Sequence, residues 1–202
     1  MILGHNALAT AFKSGTWAAY RGNTQLSLAD LAIGPNSIDV TLHPSLLVPQ
    51  APLGIIDPFN PDSLTWSAVQ VSNNPVIYPG QFRLGAAQER FNCDAPLVID
   101  GQETFFAPMY DGRSTLGRLG IGSHVTAGFG DYGFKGSFTL ELFNVNSLPV
   151  KLHEGMRIGQ VFFVQVAQPG PYTGAYSKDN HFNGPVAPVL GQARFQPKVN
   201  VS

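Results

Sequence analysis

Glycine and proline are spread along the whole chain, and they limit its secondary structure more than any other sequence feature. The 202 residues include 22 glycines and 16 prolines. Proline fixes φ and removes a backbone donor, and glycine weakens regular elements, so long helices are disfavoured and short strands joined by turns are favoured. Many short strands without intervening helices predict a mainly β fold, either a sandwich or a barrel.

The local patterns predict where these elements lie. A short helix is expected near the start, where Asn6 is a candidate cap and Leu8 and Phe12 lie on one face. A helical turn is expected after Ser27. The predicted strands are 37–42, 67–71, 82–88, 103–107, 137–143 and 159–166. We expect a surface loop over 51–62 and a single domain over 1–202, in which 168–202 forms a C-terminal arm or lid.

The charge balance narrows the classes of ligand. Lys and Arg total 12 and Asp and Glu total 13, a formal net charge of −1. This near-neutral balance argues against a nucleic-acid-coating protein but allows a small anionic ligand held by a few arginines. The start has no basic region followed by an apolar run, and no apolar run reaches the roughly 18 residues of a membrane span. We therefore expect a cytoplasmic protein without a membrane partner.

The supply of metal ligands argues against zinc chemistry. Cys93 is the single cysteine, and the five histidines lack metal-ligand spacing. Zinc-dependent cytidine deaminases need a His/Cys-x-Glu segment together with a Pro-Cys-x-x-Cys pair. If this chain deaminates a base, it is expected to do so without zinc.

Residues 111–118 combine the groups that grip phosphate. Arg113 and Arg118 bracket Ser114 and Thr115 in a glycine-rich segment. Arginine forks, hydroxyls and backbone N–H groups suit phosphate oxygens. The alternative is a polar turn whose arginines pair with surface acids, and spacing alone does not decide between the two.

Two acids follow this segment. Strand alternation places Phe138, Leu140 and Leu142 on one face and Glu141 on the other, among apolar neighbours. A partly desolvated carboxylate there suits a group that takes and gives protons. Alternatively, Glu141 faces water on an exposed sheet. Asp131 lies in the preceding glycine-rich loop and is either a second site acid or an ordinary turn aspartate.

Several segments in one order resemble the dCTP deaminase family of the dCTP deaminase/dUTPase superfamily. The resemblance covers roughly residues 1–176, and Asp111-Gly-Arg-Ser-Thr-Leu-Gly-Arg-Leu-Gly120 is the most diagnostic match. The segments are 33–42, 78–85, 111–120, 126–128, 131–141, 149–150 and 155–160.

The resemblance implies a distorted β-barrel or jelly-roll of the dUTPase-like type with a short N-terminal helix. It implies a homotrimer with active sites at subunit interfaces. The implied substrate is dCTP with Mg²⁺ on its triphosphate, hydrolysed to dUTP and ammonia. Family members are often inhibited by dTTP, which makes dTTP a candidate inhibitor.

The resemblance also implies residue roles. Glu141 would be the general base and acid, Ser114 and the Ala127 backbone would position the attacking water, and Arg118 would hold Glu141. Asp131 would lie near the sugar 3′-hydroxyl. The implied substrate-binding residues are Arg113, Ser114, Thr115, Arg118, Asp131, Thr139, Leu140, Glu141, Gln160, Tyr172 and Lys178.

The chain departs from the family pattern at three places, one of them a mild change in which Thr115 and Gly117 stand where the family has serine and alanine. Thr41 stands where the family usually has an arginine, and Gly174-Ala-Tyr176 lacks a phosphate-binding lysine, for which Lys178 is a candidate substitute. Two alternative functions remain open. One is a bifunctional dCTP deaminase/dUTPase that yields dUMP and pyrophosphate, and the other is a non-catalytic nucleotide-binding regulatory or structural trimer.

Overall fold

The computed structural model describes residues 1–171, apart from residues 53, 58 and 127. Within these residues the chain is mainly β, as the glycine and proline pattern predicts. The helices are α1 (His5–Lys13) and α2 (Ser114–Arg118), with 3-10 turns at Leu28–Asp30, Pro61–Ser63 and Val71–Asn73. No helix in this part of the chain has the length and apolar character needed to cross a membrane.

Sixteen strands are formed by the described residues. The strands are β1 (Ala18–Arg21), β2 (Thr24–Gln25), β3 (Ala32–Ile33), β4 (Ile38–Thr41), β5 (Ser45–Gln50), β6 (Thr65–Gln70), β7 (Val76–Ile77), β8 (Phe82–Ala86), β9 (Glu89–Asn92), β10 (Leu97–Ile99), β11 (Gln102–Gly112), β12 (Ile121–Gly122), β13 (Lys135–Gly136), β14 (Thr139–Asn144), β15 (Val150–Lys151) and β16 (Arg157–Val166).

The strands pair antiparallel into four sheets. Two have five strands, in the orders β10-β11-β16-β4-β3 and β12-β14-β8-β5-β6; the others are β13-β9-β1-β2 and the pair β15-β7. One apolar core joins them, and its centre is aromatic: the Trp17 and Phe163 ring centroids lie 4.7 Å apart, and Phe106 meets Trp17 edge-on. The prediction of a mainly β fold, a distorted β-barrel or jelly-roll with a short N-terminal helix, is confirmed.

The predicted N-terminal helix is present, but its cap differs. The helix begins at His5, and Gly4 rather than Asn6 is the N-cap, without a side-chain cap. Leu8 is fully buried and Phe12 packs against the core, as their spacing predicts. The predicted strand 103–107 extends to Gly112, because β16 pairs with it from Phe105 to Gly112.

Thr41, which stands where the family usually has an arginine, contacts the buried carboxylate of Glu89. The side chain of Glu89 is only 3% exposed. The Thr41 backbone N–H and hydroxyl donate to it at 2.7 and 2.8 Å, and Arg21 of β1 pairs with it at 2.7 Å. A buried charge needs partners of this kind. Arg21 therefore supplies the positive charge here, and Thr41 is a donor to the same carboxylate.

Candidate active site

An open cleft of about 400 Å³ lies where β11 ends and α2 begins. It includes Arg113, Ser114 and Gln160, which are three of the predicted substrate-binding residues. The lining residues are Asp111, Gly112, Arg113, Ser114, Gly117, Ile121, Gly122, Ser123, His124 and Gln160. The segment 111–118 is thus the wall of a cleft and not only a polar turn on the surface.

Helix α2 is held by its middle residue. Leu116 is 7% exposed and anchors the helix in the core. Gly120, at φ +79°, ends the helix in the left-handed region, where a side chain would also meet Asn146. Because residues two apart on a helix point in nearly opposite directions, Arg118 is directed outward while Leu116 points inward.

Because Arg118 points outward, it lies apart from Glu141, the residue that it is predicted to hold. Arg118 is exposed, and no ion pair joins it to Glu141 within the described chain. Ser114 lies at the cleft, and Thr115 is exposed beside it. One copy of the chain therefore does not assemble the predicted Arg118–Glu141 contact.

Arg113 is positioned by an acid from another strand. The Arg113 Nη1 atom contacts the Oδ2 atom of Asp39 in β4, and Arg157 Nη1 lies 3.0 Å from the same oxygen. Asp39 is paired in register with Gln160 of β16, and Gln160 is paired with Asp111 of β11. The register of three neighbouring strands thus brings these groups to one edge of the cleft.

Glu141 lies in the middle of β14, next to the other edge of the cleft. Its side chain is partly buried, with Leu140 and Leu142 fully buried on the opposite face, as the strand alternation predicts. Its Oε2 atom accepts hydrogen bonds from the backbone N–H groups of Val125 at 2.6 Å and Thr126 at 3.3 Å. The described contacts of the carboxylate are thus made through Oε2, which two successive backbone N–H groups hold in place.

His124 lines the cleft between the arginine edge and the Glu141 strand. Its Nε2 atom lies 3.4 Å from Asp111 Oδ1, and its ring meets Tyr110 edge-on. Tyr110 is buried, and that burial raises the pKa of its phenol, so it stays protonated near neutral pH. His124 is not among the site residues predicted from the sequence; its position two residues before Thr126 is the one signal that could have indicated it.

The other predicted site residues are not gathered in the cleft. Asp131 is exposed and borders a separate cleft of about 290 Å³ beside the end of β16. Thr139 is on the Glu141 face of β14, whereas the Leu140 side chain is fully buried, so only its backbone could meet a ligand. Ala127, Tyr172 and Lys178 lie outside the described residues.

These placements divide the candidate residues into two groups. The candidate anion-binding group contains Arg113, Ser114 and Gln160, with Asp39 and Arg157 behind it. The candidate proton-transfer group is Glu141, whose carboxylate contacts the backbone of residues 125 and 126. Arginine forks and hydroxyls suit phosphate oxygens, and an anchored, half-buried carboxylate suits proton transfer.

Sequence comparison places most of the chain in a described family. Residues 14–166 match the sequence model of a family described as dCTP deaminase-like. A Bifidobacterium longum protein named "dCTP deaminase, dUMP-forming" is 39% identical over 162 residues, which are 78% of this chain and 79% of that protein. A Bifidobacterium adolescentis protein of the same name is 44% identical over 116 residues, 56% of this chain and 55% of that protein. The match thus spans about half the length of the latter relative.

Comparison of folds gives an independent result. The crystal structure of a 2′-deoxycytidine 5′-triphosphate deaminase from Agrobacterium tumefaciens superposes with a TM-score of 0.57 and 18% sequence identity. The match covers 82% of this chain and 48% of that one. At this identity the similarity concerns the fold.

Proposed function

Because this chain belongs to the dCTP deaminase-like family, we propose that it is a bifunctional enzyme that converts dCTP to dUMP. One water replaces the 4-amino group of cytosine and releases ammonia; a second attacks the α-phosphate and releases pyrophosphate. The relatives' names favour this over the simple deaminase that leaves dUTP as product. Nothing in the comparisons favours the non-catalytic trimer.

One observation carries the proposal: a carboxylate anchored in mid-strand stands next to an arginine-lined cleft. Glu141 is fixed by two backbone N–H groups through Oε2, and in this proposal its Oε1 meets the attacking water. It can take a proton from the water that attacks C4 and return protons to N3 and the departing amine. Such positioned proton transfer contributes about 10²- to 10⁴-fold to a rate.

The anion-binding group would hold the polyphosphate chain. Arg113 offers a guanidinium, Ser114 a hydroxyl and Gln160 an amide at the same cleft. Mg²⁺ would enter with the triphosphate as part of the substrate. In this proposal Asp131 activates the second water and lies near the sugar 3′-hydroxyl, with Thr115, Thr139, the Leu140 backbone, Tyr172 and Lys178 as further contacts.

Product analysis tests the proposal. Incubation with dCTP is expected to yield dUMP, pyrophosphate and ammonia, separated by chromatography. In Asp131→Asn we expect dUMP formation to fall about 100-fold while ammonia release persists, so that dUTP accumulates, because the amide cannot accept a proton from the second water. Wild-type protein that stops at dUTP would contradict the bifunctional activity. Unchanged dUMP formation by Asp131→Asn would remove the role of that residue.

The separation of Arg118 from Glu141 within one chain leads to a proposal about assembly. We propose a homotrimer in which Arg118 of one copy meets Glu141 of the next. Arg118→Ala and Glu141→Gln are each expected to be inactive, yet a co-refolded equal mixture should regain about a quarter of the wild-type activity, since about one interface in four then carries both native residues. Each variant refolded alone is the control. No recovery in the mixture would mean that both residues act from one chain.

A further inference from the structure

A β-bulge sets the direction of Arg157. Strand β16 pairs with β4 so that Gln160 faces Asp39 and Gly159 faces Val40, and then the register shifts so that Arg157 faces Thr41. Without the shift, Ile158 would face Thr41 and Arg157 would be on the buried side with Val40. In the structure Ile158 is fully buried and Arg157 is exposed. The extra residue therefore turns Arg157 to the face that carries Asp39.

Bulges beside functional sites often redirect a side chain in this way. Here Tyr110 adds support, since its hydroxyl donates to the Ile158 carbonyl at 3.4 Å. The backbone that presents Arg157 is thus braced from the core by a buried side chain.

The carboxylate of Asp39 joins Arg157 to the cleft. It is 20% exposed and contacts both Arg113 and Arg157 through a single oxygen, Oδ2. Asp39 can neutralise only one of the two guanidinium charges that it contacts. A guanidinium has five N–H donors, so a contact through Nη1 leaves others for a ligand. The Arg157 side chain is 58% exposed and can turn those donors towards the cleft edge.

We propose that Arg157 is a second polyphosphate-binding arginine, presented by the β16 bulge and held beside Arg113 by the shared carboxylate of Asp39. This inference rests on the proposed function in that it assigns the phosphate chain of the nucleotide as the ligand. Asp39 is a positioning residue. It holds the guanidinium groups of Arg113 and Arg157 close together before an anion binds, so that both can contact the anion.

Inorganic tripolyphosphate and the substrate test the inference together. Arg157→Ala is expected to weaken tripolyphosphate binding, measured by calorimetry at fixed ionic strength, about tenfold. It should raise the KM for dCTP by a similar factor with kcat unchanged, and Arg157→Lys should recover part of the loss because it restores the charge without the fork. Binding of deoxycytidine, which has no phosphate, should not change.

Lys151→Ala is the matched control, because it removes one exposed positive charge from β15, which pairs only with β7 in the sheets described. If Arg157→Ala binds tripolyphosphate like the wild type, or no worse than Lys151→Ala does, the inference is wrong. A loss of deoxycytidine binding or of thermal stability in parallel would indicate a structural role and would also overturn it. If the wild type turns over no dCTP yet binds tripolyphosphate in an Arg157-dependent way, the proposed function fails and this inference stands.

Discussion

Replacement of Glu141 by glutamine is expected to lower the rate of ammonia release from dCTP by about 10²- to 10⁴-fold. The amide has the same shape, and its carbonyl oxygen can still accept from Val125 and Thr126, whose N–H groups hold Oε2 at 2.6 and 3.3 Å. It cannot take a proton from water. The loss should therefore be in kcat, measured as ammonia release at saturating dCTP, with dCTP binding changed by no more than about threefold.

Glu154→Gln is the matched control for this variant. Glu154 is exposed in the turn between β15 and β16, so the same loss of charge is made on the surface. We expect wild-type rates from it. A Glu141→Gln protein that releases ammonia at the wild-type rate would exclude Glu141 as the proton-transfer group, whatever else binds the nucleotide.

Replacement of Gly159 by alanine is expected to destabilise the fold more than any other alanine substitution that we propose. The new Cβ would lie 2.1 Å from Tyr110 Oη and 2.3 Å from its Cζ atom. Tyr110 is 3% exposed, and its ring packs against Phe138, so it has little room to move. Overpacking of this kind costs about 3 kcal/mol. For a chain of this size that lowers Tm by about 6–12 °C in a thermal melt.

Gly117→Ala provides the comparison for stability. Nothing lies within 4 Å of the Cβ that this change would add, and alanine favours the helix in which Gly117 lies. We expect no loss of Tm from it. If Gly159→Ala melts at the wild-type temperature, Tyr110 does not pack over the bulge. It then does not support the backbone that presents Arg157 either.

The strand that carries Glu141 could be predicted from the sequence to a large extent. Alternation with a period of two is a local property, so Leu140 and Leu142 on one side and Glu141 on the other follow from the residue order alone. The structure agrees with this pattern. The short N-terminal helix was likewise predicted from Leu8 and Phe12, although its cap was placed two residues late, because Gly4 offers no side-chain signal.

The strands β5 and β9 were missed, for a different reason. Pro49 lies inside β5, and β9 is a four-residue stretch with two charged members, Glu89 and Arg90. Neither shows an amphipathic repeat. Pairing with β6 and β1 forms them, and the contacts of Glu89 with Thr41 and Arg21 make its burial possible. Tertiary context outweighed local propensity in both strands.

The segment 111–118 illustrates the same limit at the candidate site. Its residue types alone left phosphate binding and a surface turn equally open. The structure places Arg113, Ser114 and Gln160 in one cleft while Arg118 points away, and it also pairs Arg113 with Asp39. Phosphate binding by this segment stays a prediction. Leu116 and Arg118 are two positions apart, so on a helix their side chains point in nearly opposite directions, and this follows from the sequence. Which of the two residues faces the core depends on the surrounding structure.

By itself, the sequence determined the mainly β fold, the face on which Glu141 lies and the residue types of a candidate anion site, because these depend on neighbours in the chain. Only the tertiary structure decided the partners of Asp39. Arg113 and Arg157 reach the same carboxylate from 74 and 118 positions away. Strand register and a single-residue bulge set those contacts, and both arise from pairing between distant segments, which no local pattern encodes.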